Sequence, residues 1–197
     1  MNVISTNDQV FQFINSISQI SEPTFEVYSS LFEKIDLKKG TYFAKQRRVE
    51  KNFGIILDGV VRTFFMTENG EEHIKSFGTP LTFIGGFSSL ITGVKNEINV
   101  QAITNCTVLQ APYIELTQLF SRLPEVETLS RRITEGLFIW KEKREIQFLS
   151  MNAEKRYLQF RKDYEGLEFL IPQYYIAAYL GISPTQLSRI RRKLSIH

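Results

Sequence analysis

The stretch Ile171 to Leu194, IPQYYIAAYLGISPTQLSRIRRKL, leaves its backbone few choices. Pro172 suits a first helical position, because nothing there needs its missing N–H. The spacing predicts a helix over about 173–180. Gly181 stops it, since glycine takes the left-handed cap conformation without steric cost. A second helix must start at once. Ser183 is a good N-cap, Pro184 falls at the first helical position, and Gln186 stands three after the cap, so 183–186 reads as a capping box with Ile182 and Leu187 as its hydrophobic staple. Ala177, four residues before Gly181, is small enough for two helices to cross closely. Two short helices joined by so tight a corner form a helix-turn-helix.

The two faces of the second helix differ in chemistry. Leu187, Ile190 and Leu194 step by three and four and make one buried stripe. Thr185, Ser188, Arg189 and Arg192 gather opposite, offering the hydroxyls and guanidiniums that reach base edges and phosphates in a major groove. Every charged side chain from Ile171 onward is basic: Arg189, Arg191, Arg192 and Lys193. Direct readout is expected from Thr185, Ser188 and Arg189, with the neighbouring Gln186 on the same exposed turn. Arg191, Arg192 and Lys193 are expected on phosphates. The competing reading is a helical hairpin with a solvated basic face.

Charge is divided unevenly along the chain. Residues 1–120 carry 10 Lys and Arg against 12 Asp and Glu, whereas residues 121–197 carry 14 against 9. That asymmetry suggests a sensing or scaffolding front and a nucleic-acid-facing back. At 43% hydrophobic and 23% charged the composition is that of an ordinary globular protein. No apolar run nears twenty residues and no basic-then-apolar leader opens the chain, so a cytoplasmic location without a membrane span or secretion signal is expected. A single cysteine, Cys106, excludes an internal disulfide and a cysteine-ligated iron–sulfur cluster. Two histidines, His73 and His197, leave too few ligands for a transition-metal site. No cofactor or metal is expected. No paired carboxylates, nucleophile–base set or complete phosphate loop appears, so an enzyme is not expected.

Residues 1 to about 35 read as helical, through Phe11, Ile14, Ile17 and Ile20, then Tyr28, Leu31, Phe32 and Ile35. From 36 to about 112 short β-rich runs alternate with turns: 41–43, 54–57, 60–66, 73–77, 82–84, 98–103 and 107–109. Asp58-Gly59 and Asn69-Gly70 are tight-turn dipeptides. A β-sandwich or β-roll follows. The Gly- and Ser-rich stretch Phe83 to Ser89 is either a phosphate-cradling turn or a corner between sheets. Tyr113 to Phe120 makes a short amphipathic helix, and Pro124 opens a long one to about Leu149. There Val126, Leu129, Ile133, Leu137 and Trp140 follow near-heptad spacing, a seam that can rest on the chain's own domain or pair with its twin, and a two-fold dimer helix is the expectation. Asn152 caps a further helix to about Tyr164.

The order of β-roll, long helix and helix-turn-helix resembles the CRP/FNR superfamily of bacterial transcription regulators, over nearly the whole chain. Residues 53–62, FGIILDGVVR, resemble its strand–Gly–strand signature, 69–72 its hairpin turn and 83–86 the start of its phosphate cassette. Ala177, 179–183 and 187–190 match its reading head, and the short length looks most like compact members found in Bacteroidetes. The resemblance implies an α+β fold: an N-terminal β-roll of the cyclic-nucleotide-binding kind (1–112) with flanking helices, a dimerisation helix (113–150) and a winged-helix-type DNA-binding domain (151–197). It also implies a homodimer on double-stranded DNA with a palindromic operator, contact with RNA polymerase, and an effector pocket near Arg62, Gly85, Gly86, Phe87, Ser88, Asn96 and Glu97.

Two departures from the pattern carry weight. Members that bind cyclic AMP need a carboxylate directly after the cassette glycine, where this chain has Gly86. They also need an Arg-Ser pair for the phosphate, and those positions fall on Asn96 and Glu97. Cyclic AMP is therefore not expected as ligand, leaving another small molecule or an empty roll. Arg62 and Lys95 are the available replacement cations. The wing is expected to be reduced or absent: only three residues follow the second helix, so any wing strand must lie at Leu167 to Leu170. The competing functions are a cyclic-nucleotide module with purely structural C-terminal helices, a cupin-like enzyme, which a single roll histidine does not support, and a regulator with an empty roll.

Overall fold

A computed structural model describes residues 6–194. The chain opens with α1 (Thr6–Ile17) and α2 (Glu22–Ser29). Val10 and Ile14 of α1 and Phe25 and Tyr28 of α2 are buried, so the apolar stripe packs inward as its spacing predicts.

Eight strands follow among the described residues: β1 (Glu33–Leu37), β2 (Tyr42–Ala44), β3 (Asn52–Asp58), β4 (Val61–Met66), β5 (Glu72–Gly78), β6 (Phe83–Ile84), β7 (Asn99–Ala102) and β8 (Cys106–Pro112). They form two four-stranded sheets, ordered β1-β8-β3-β6 and β2-β7-β4-β5. β1 corrects the expected helix through residue 35. It pairs antiparallel with β8, Ile35 opposite Val108 and Leu37 opposite Cys106. Ile35 and Leu37 both pack on the core of Ile56, Val61 and Val108. Ile35 fits a three–four stripe continued from Tyr28 and Leu31, but it fits period two with Leu37 as well, and edge pairing with β8 decides. Both dipeptide turns form, with φ of 89° at Gly59 and 83° at Gly70. At Gly59 a side chain is doubly excluded, because a Cβ there would lie 2.3 Å from the Asn105 carbonyl oxygen.

β6 leads into a short helix, α3 (Phe87–Thr92), and β8 leads into α4 (Tyr113–Leu119) and the long α5 (Pro124–Ser150). Val126 and Leu129 are 0% exposed. They belong to one apolar cluster with Val10, Ile14, Tyr28, Phe53 and Leu116, and Ile133 packs against it. Of the expected dimer seam, Val126 and Leu129 thus take the other of the two placements, facing the chain's own core, and are not free for a partner. The physical reason is that heptad spacing defines an apolar arc but not what covers it.

The remaining helices are α6 (Ala153–Asp163), α7 (Gln173–Leu180) and α8 (Pro184–Leu194). Asn152 caps α6, its Oδ1 accepting from the Lys155 N–H at 2.9 Å. Leu167–Phe169 forms one 3-10 turn rather than a strand, which corrects the proposed wing position. Gly166, at φ 74°, starts that turn. Phe169 and Leu170 donate back to Gly166 and Leu167, so these backbone groups are spent locally and cannot pair as a strand. No strand follows β8 among the described residues. The three residues after α8 on which the absence of a wing was also argued lie outside the described residues.

Two compact units divide the chain within α5: residues 1–63 with 77–137, and residues 64–76 with 138–197. Just before the division Gly136 sits mid-helix with nothing within 4 Å of where a Cβ would be. Gly136→Ala is expected to raise stability by about 0.5–1 kcal/mol, because glycine in a helix interior costs about that much. A thermal midpoint that stays level or falls contradicts an open helix surface there.

Candidate nucleic-acid interface

The corner between α7 and α8 is built as its sequence dictates. Gly181 takes φ 66°, ψ 39°. The Ile182 N–H donates to the Ala177 carbonyl at 3.1 Å and the Gly181 N–H to the Ala178 carbonyl at 3.3 Å. This pair of bonds is a Schellman motif. Ser183 caps α8, its hydroxyl accepting from the Gln186 N–H at 3.2 Å. Ile176, Ala177, Leu180 and Leu187 are buried where the helices cross.

A helix leaves its last four carbonyls without partners. In α7 the Schellman bonds serve those of Ala177 and Ala178, and two arginines from outside the corner serve the others. The Arg144 guanidinium of α5 donates to the Tyr179 carbonyl. Arg156 of α6 donates to the Leu180 carbonyl from Nε at 3.2 Å and Nη2 at 3.1 Å, and to the Met151 carbonyl from Nη1 at 2.6 Å. Phe148 lies between them, its ring centre 4.4 Å from Arg144 Cζ and 4.9 Å from Arg156 Cζ. Arg144 also stacks on the Tyr179 ring at 3.6 Å. The Phe148 edge would be 3.1 Å from a Cβ at position 181, a tight approach beside a turn whose positive φ already favours glycine. Burial pulls the Arg144 guanidinium below its usual pKa. Sequence reasoning missed this group. Its contacts join residues 24 and 35 apart, and no local pattern announces a guanidinium bound to a carbonyl.

A second network joins α6, the 3-10 turn and the start of α7. Glu168 is buried, accepts from the Tyr157 hydroxyl, and pairs with Arg161 Nε at 2.9 Å. Its backbone carbonyl accepts from Gln173 Nε2 at 3.0 Å. Burial, then the bond to Glu168, pushes the Tyr157 hydroxyl upward in pKa.

The expected reading residues lie on one helix but not in one environment. Thr185, Gln186, Ser188, Arg189, Arg192 and Lys193 are exposed, and Leu187 points inward. Among the described residues Arg189 and Arg192 have no ion-pair or side-chain hydrogen-bond partner. Arg191 is half-buried and close enough to Tyr157 to act on its charge. Lys193 Nζ pairs with Glu154 of α6 at 2.7 Å. Among the described residues, Arg189 and Arg192 are therefore the open cations of α8, while Lys193 already serves Glu154 and Arg191 lies near Tyr157.

The expected effector residues lie on different elements. Asn96 is buried with its side chain pressed on Gly86: a Cβ at Gly86 would lie 2.3 Å from Nδ2 and 2.6 Å from Cγ. Asn96 Nδ2 has no hydrogen-bond partner. The backbone on either side of it is pinned, the Asn96 N–H to the Arg48 carbonyl at 2.8 Å and the Arg47 N–H to the Asn96 carbonyl at 2.7 Å. Gly85 and Gly86 form the bend before α3, while Phe87, Ser88 and Glu97 are exposed. Arg62 lies in the other sheet, 4% exposed, its Nε donating to Gln101 Oε1 at 2.9 Å. The side chain at 96 thus occupies the space that a carboxylate-bearing residue at 86 would need. No group of three or more potential metal ligands occurs among the described residues. No helix among them is long and apolar enough to cross a membrane.

Residues 34–123 match the family model of the cyclic nucleotide-binding domain. The chain is similar to the transcriptional activator protein FnrA of Stutzerimonas stutzeri, 24% identical over 168 residues that cover 78% of this chain and 67% of that protein. It is 27% identical over 100 residues to the transcriptional activator protein anr of Pseudomonas aeruginosa, covering 49% of this chain and 39% of that one. Among solved structures, FixK2 from Bradyrhizobium japonicum shares the fold, with a TM-score of 0.73 at 16% identity over 84% of this chain and 85% of that chain.

Gly86→Ala is expected to cost about 1–3 kcal/mol by overpacking against Asn96. Made in an Asn96→Ala background, the same change should cost under about 1 kcal/mol, the difference being the coupling that a double-mutant cycle reads. Equal costs in urea denaturation of both backgrounds contradict the packing described.

Proposed function

We propose that this chain, a member of the CRP/FNR superfamily of transcription regulators, acts in the cytoplasm as a homodimer on a two-fold-symmetric operator. In each half-site α8 enters the major groove. Thr185, Ser188 and Arg189 read base edges, Gln186 stands beside them, and Arg192 holds a phosphate. Arg191 and Lys193 add phosphate contacts only by giving up their present neighbours, so they contribute less than Arg192. One observation carries the reading. Among the described residues Arg189 and Arg192 stand without partners, on the outer face of a helix whose inner face is anchored by buried Leu187. Unpaired cations on a rigid helix are what phosphate and base contacts require.

The dimer seam in this proposal lies on the second half of α5. Ile139, Ile146 and Leu149 are 50%, 55% and 83% exposed and recur at coiled-coil spacing, with Phe138 beside them. Contiguous apolar side chains left this open on one helix mark an association surface. The roll works without cyclic AMP, because Asn96 fills the ground beside Gly86 and Glu97 offers a phosphate a negative charge. The bound dimer then acts on transcription through RNA polymerase.

Selection of operators from random duplexes is expected to return a palindrome with half-sites about one helical turn, about 34 Å, apart. Arg189→Ala should cost about 1–3 kcal/mol and relax preference at one position in each half-site. Ile146→Glu should give a folded monomer that no longer prefers the palindrome. A wild-type monomer indifferent to every duplex at low salt overturns the proposal.

A further inference from the structure

The group formed by Arg144, Phe148 and Arg156 occupies the joint at the end of α7 from which α8 departs. Its members come from three places. Arg144 and Phe148 stand one turn apart on α5, Arg156 stands on α6, and all three converge on the last turn of α7. The contacts are of two kinds. Guanidinium N–H groups take the Tyr179 and Leu180 carbonyls, and the aromatic faces of Phe148 and Tyr179 stack on the same guanidiniums. The carbonyls belong to the negative end of the α7 dipole, which favours cations. A planar guanidinium satisfies both demands together: it presents its donors in a rigid fork and its face to a ring. A lysine can meet only one. Phe148 fills the space beside Gly181, so the turn into α8 cannot shift without meeting the ring.

Residues 138–150 of α5 belong to the same compact unit as the helix-turn-helix, so the clamp joins elements of one body. The proposed dimer seam uses the opposite side of that same helix segment. The direction of α8 relative to the two-fold axis is then set by α5 through the clamp. We infer that Arg144, Phe148 and Arg156 are positioning residues that fix the half-site spacing the dimer accepts. This inference rests on the dimer and palindrome proposed above. Adding one base pair between half-sites moves one of them by about 3.4 Å and turns it by about 35°, since a helical turn takes about 10 base pairs. A rigid joint penalises that change, and a loosened one follows it.

The test uses full-length protein and the selected operator, with the spacer between unchanged half-sites shortened or lengthened by one and two base pairs. Arg144→Lys and Phe148→Leu keep the charge and the apolar volume while removing the forked donor set and the aromatic face. Wild type should show a sharp optimum. In both variants the ratio of affinity at the optimum to affinity one base pair away should fall by about tenfold, equivalent to about 1.4 kcal/mol. A merely structural role lowers affinity at every spacing alike and leaves that ratio unchanged, so an unchanged ratio in two folded variants overturns the inference while sparing the dimer. A wild type with no palindrome preference overturns both.

Discussion

Four carbonyl groups at the end of α7 must find donors within a few ångströms, and the unit that holds α7 and α8 is arranged around that demand. Two are met by the turn itself, because Gly181 allows the chain to curl back. The other two are met from outside, by Arg144 and Arg156. Leaving a buried carbonyl unpaired costs about 1–3 kcal/mol, which is large beside a domain's net stability of about 5–15 kcal/mol. The corner is therefore not an independent motif resting on a scaffold. Its last turn is completed by α5 and α6, and the direction of α8 follows from how they complete it.

The long helix serves two purposes with two different arcs. Its first half buries Val126 and Leu129 in the core of the roll, each contributing about 1.5–3 kcal/mol of apolar burial. Its second half buries little of its apolar surface. Ile139, Ile146 and Leu149 stay open on one side, and Arg144 and Phe148 turn toward the corner on another.

What was legible in the sequence was what is local. Ser183-Pro184-Thr185-Gln186, Gly181 and Asn152 specify their caps through neighbours within three residues, and each cap forms where the spacing places it. Asp58-Gly59 and Asn69-Gly70 specify their turns in the same way. Period ambiguity defeats the reading at Ile35, which fits a helix stripe as well as a strand edge. A different failure occurs on α5. Three–four spacing identifies Val126 and Leu129 as apolar-face residues but is silent on whether their cover is the same chain or a second one. The clamp was invisible for a third reason: its bonds run from side chains to backbone carbonyls far along the chain, and backbone carbonyls leave no mark in a sequence. Gly86 lies between these cases. Its missing carboxylate can be read directly, while the Asn96 side chain that occupies the space appears only in the fold.

The central claim is that α8 delivers unpaired cations to two grooves at once, held in register by one symmetric pair of chains. Hydroxyl-radical footprinting of the full-length protein on its best operator tests this most directly. The account predicts two protected backbone patches per strand, related by a two-fold axis and about one helical turn apart, fading together as salt rises. A single unsymmetrical patch, or protection that spreads evenly along any duplex, would contradict it.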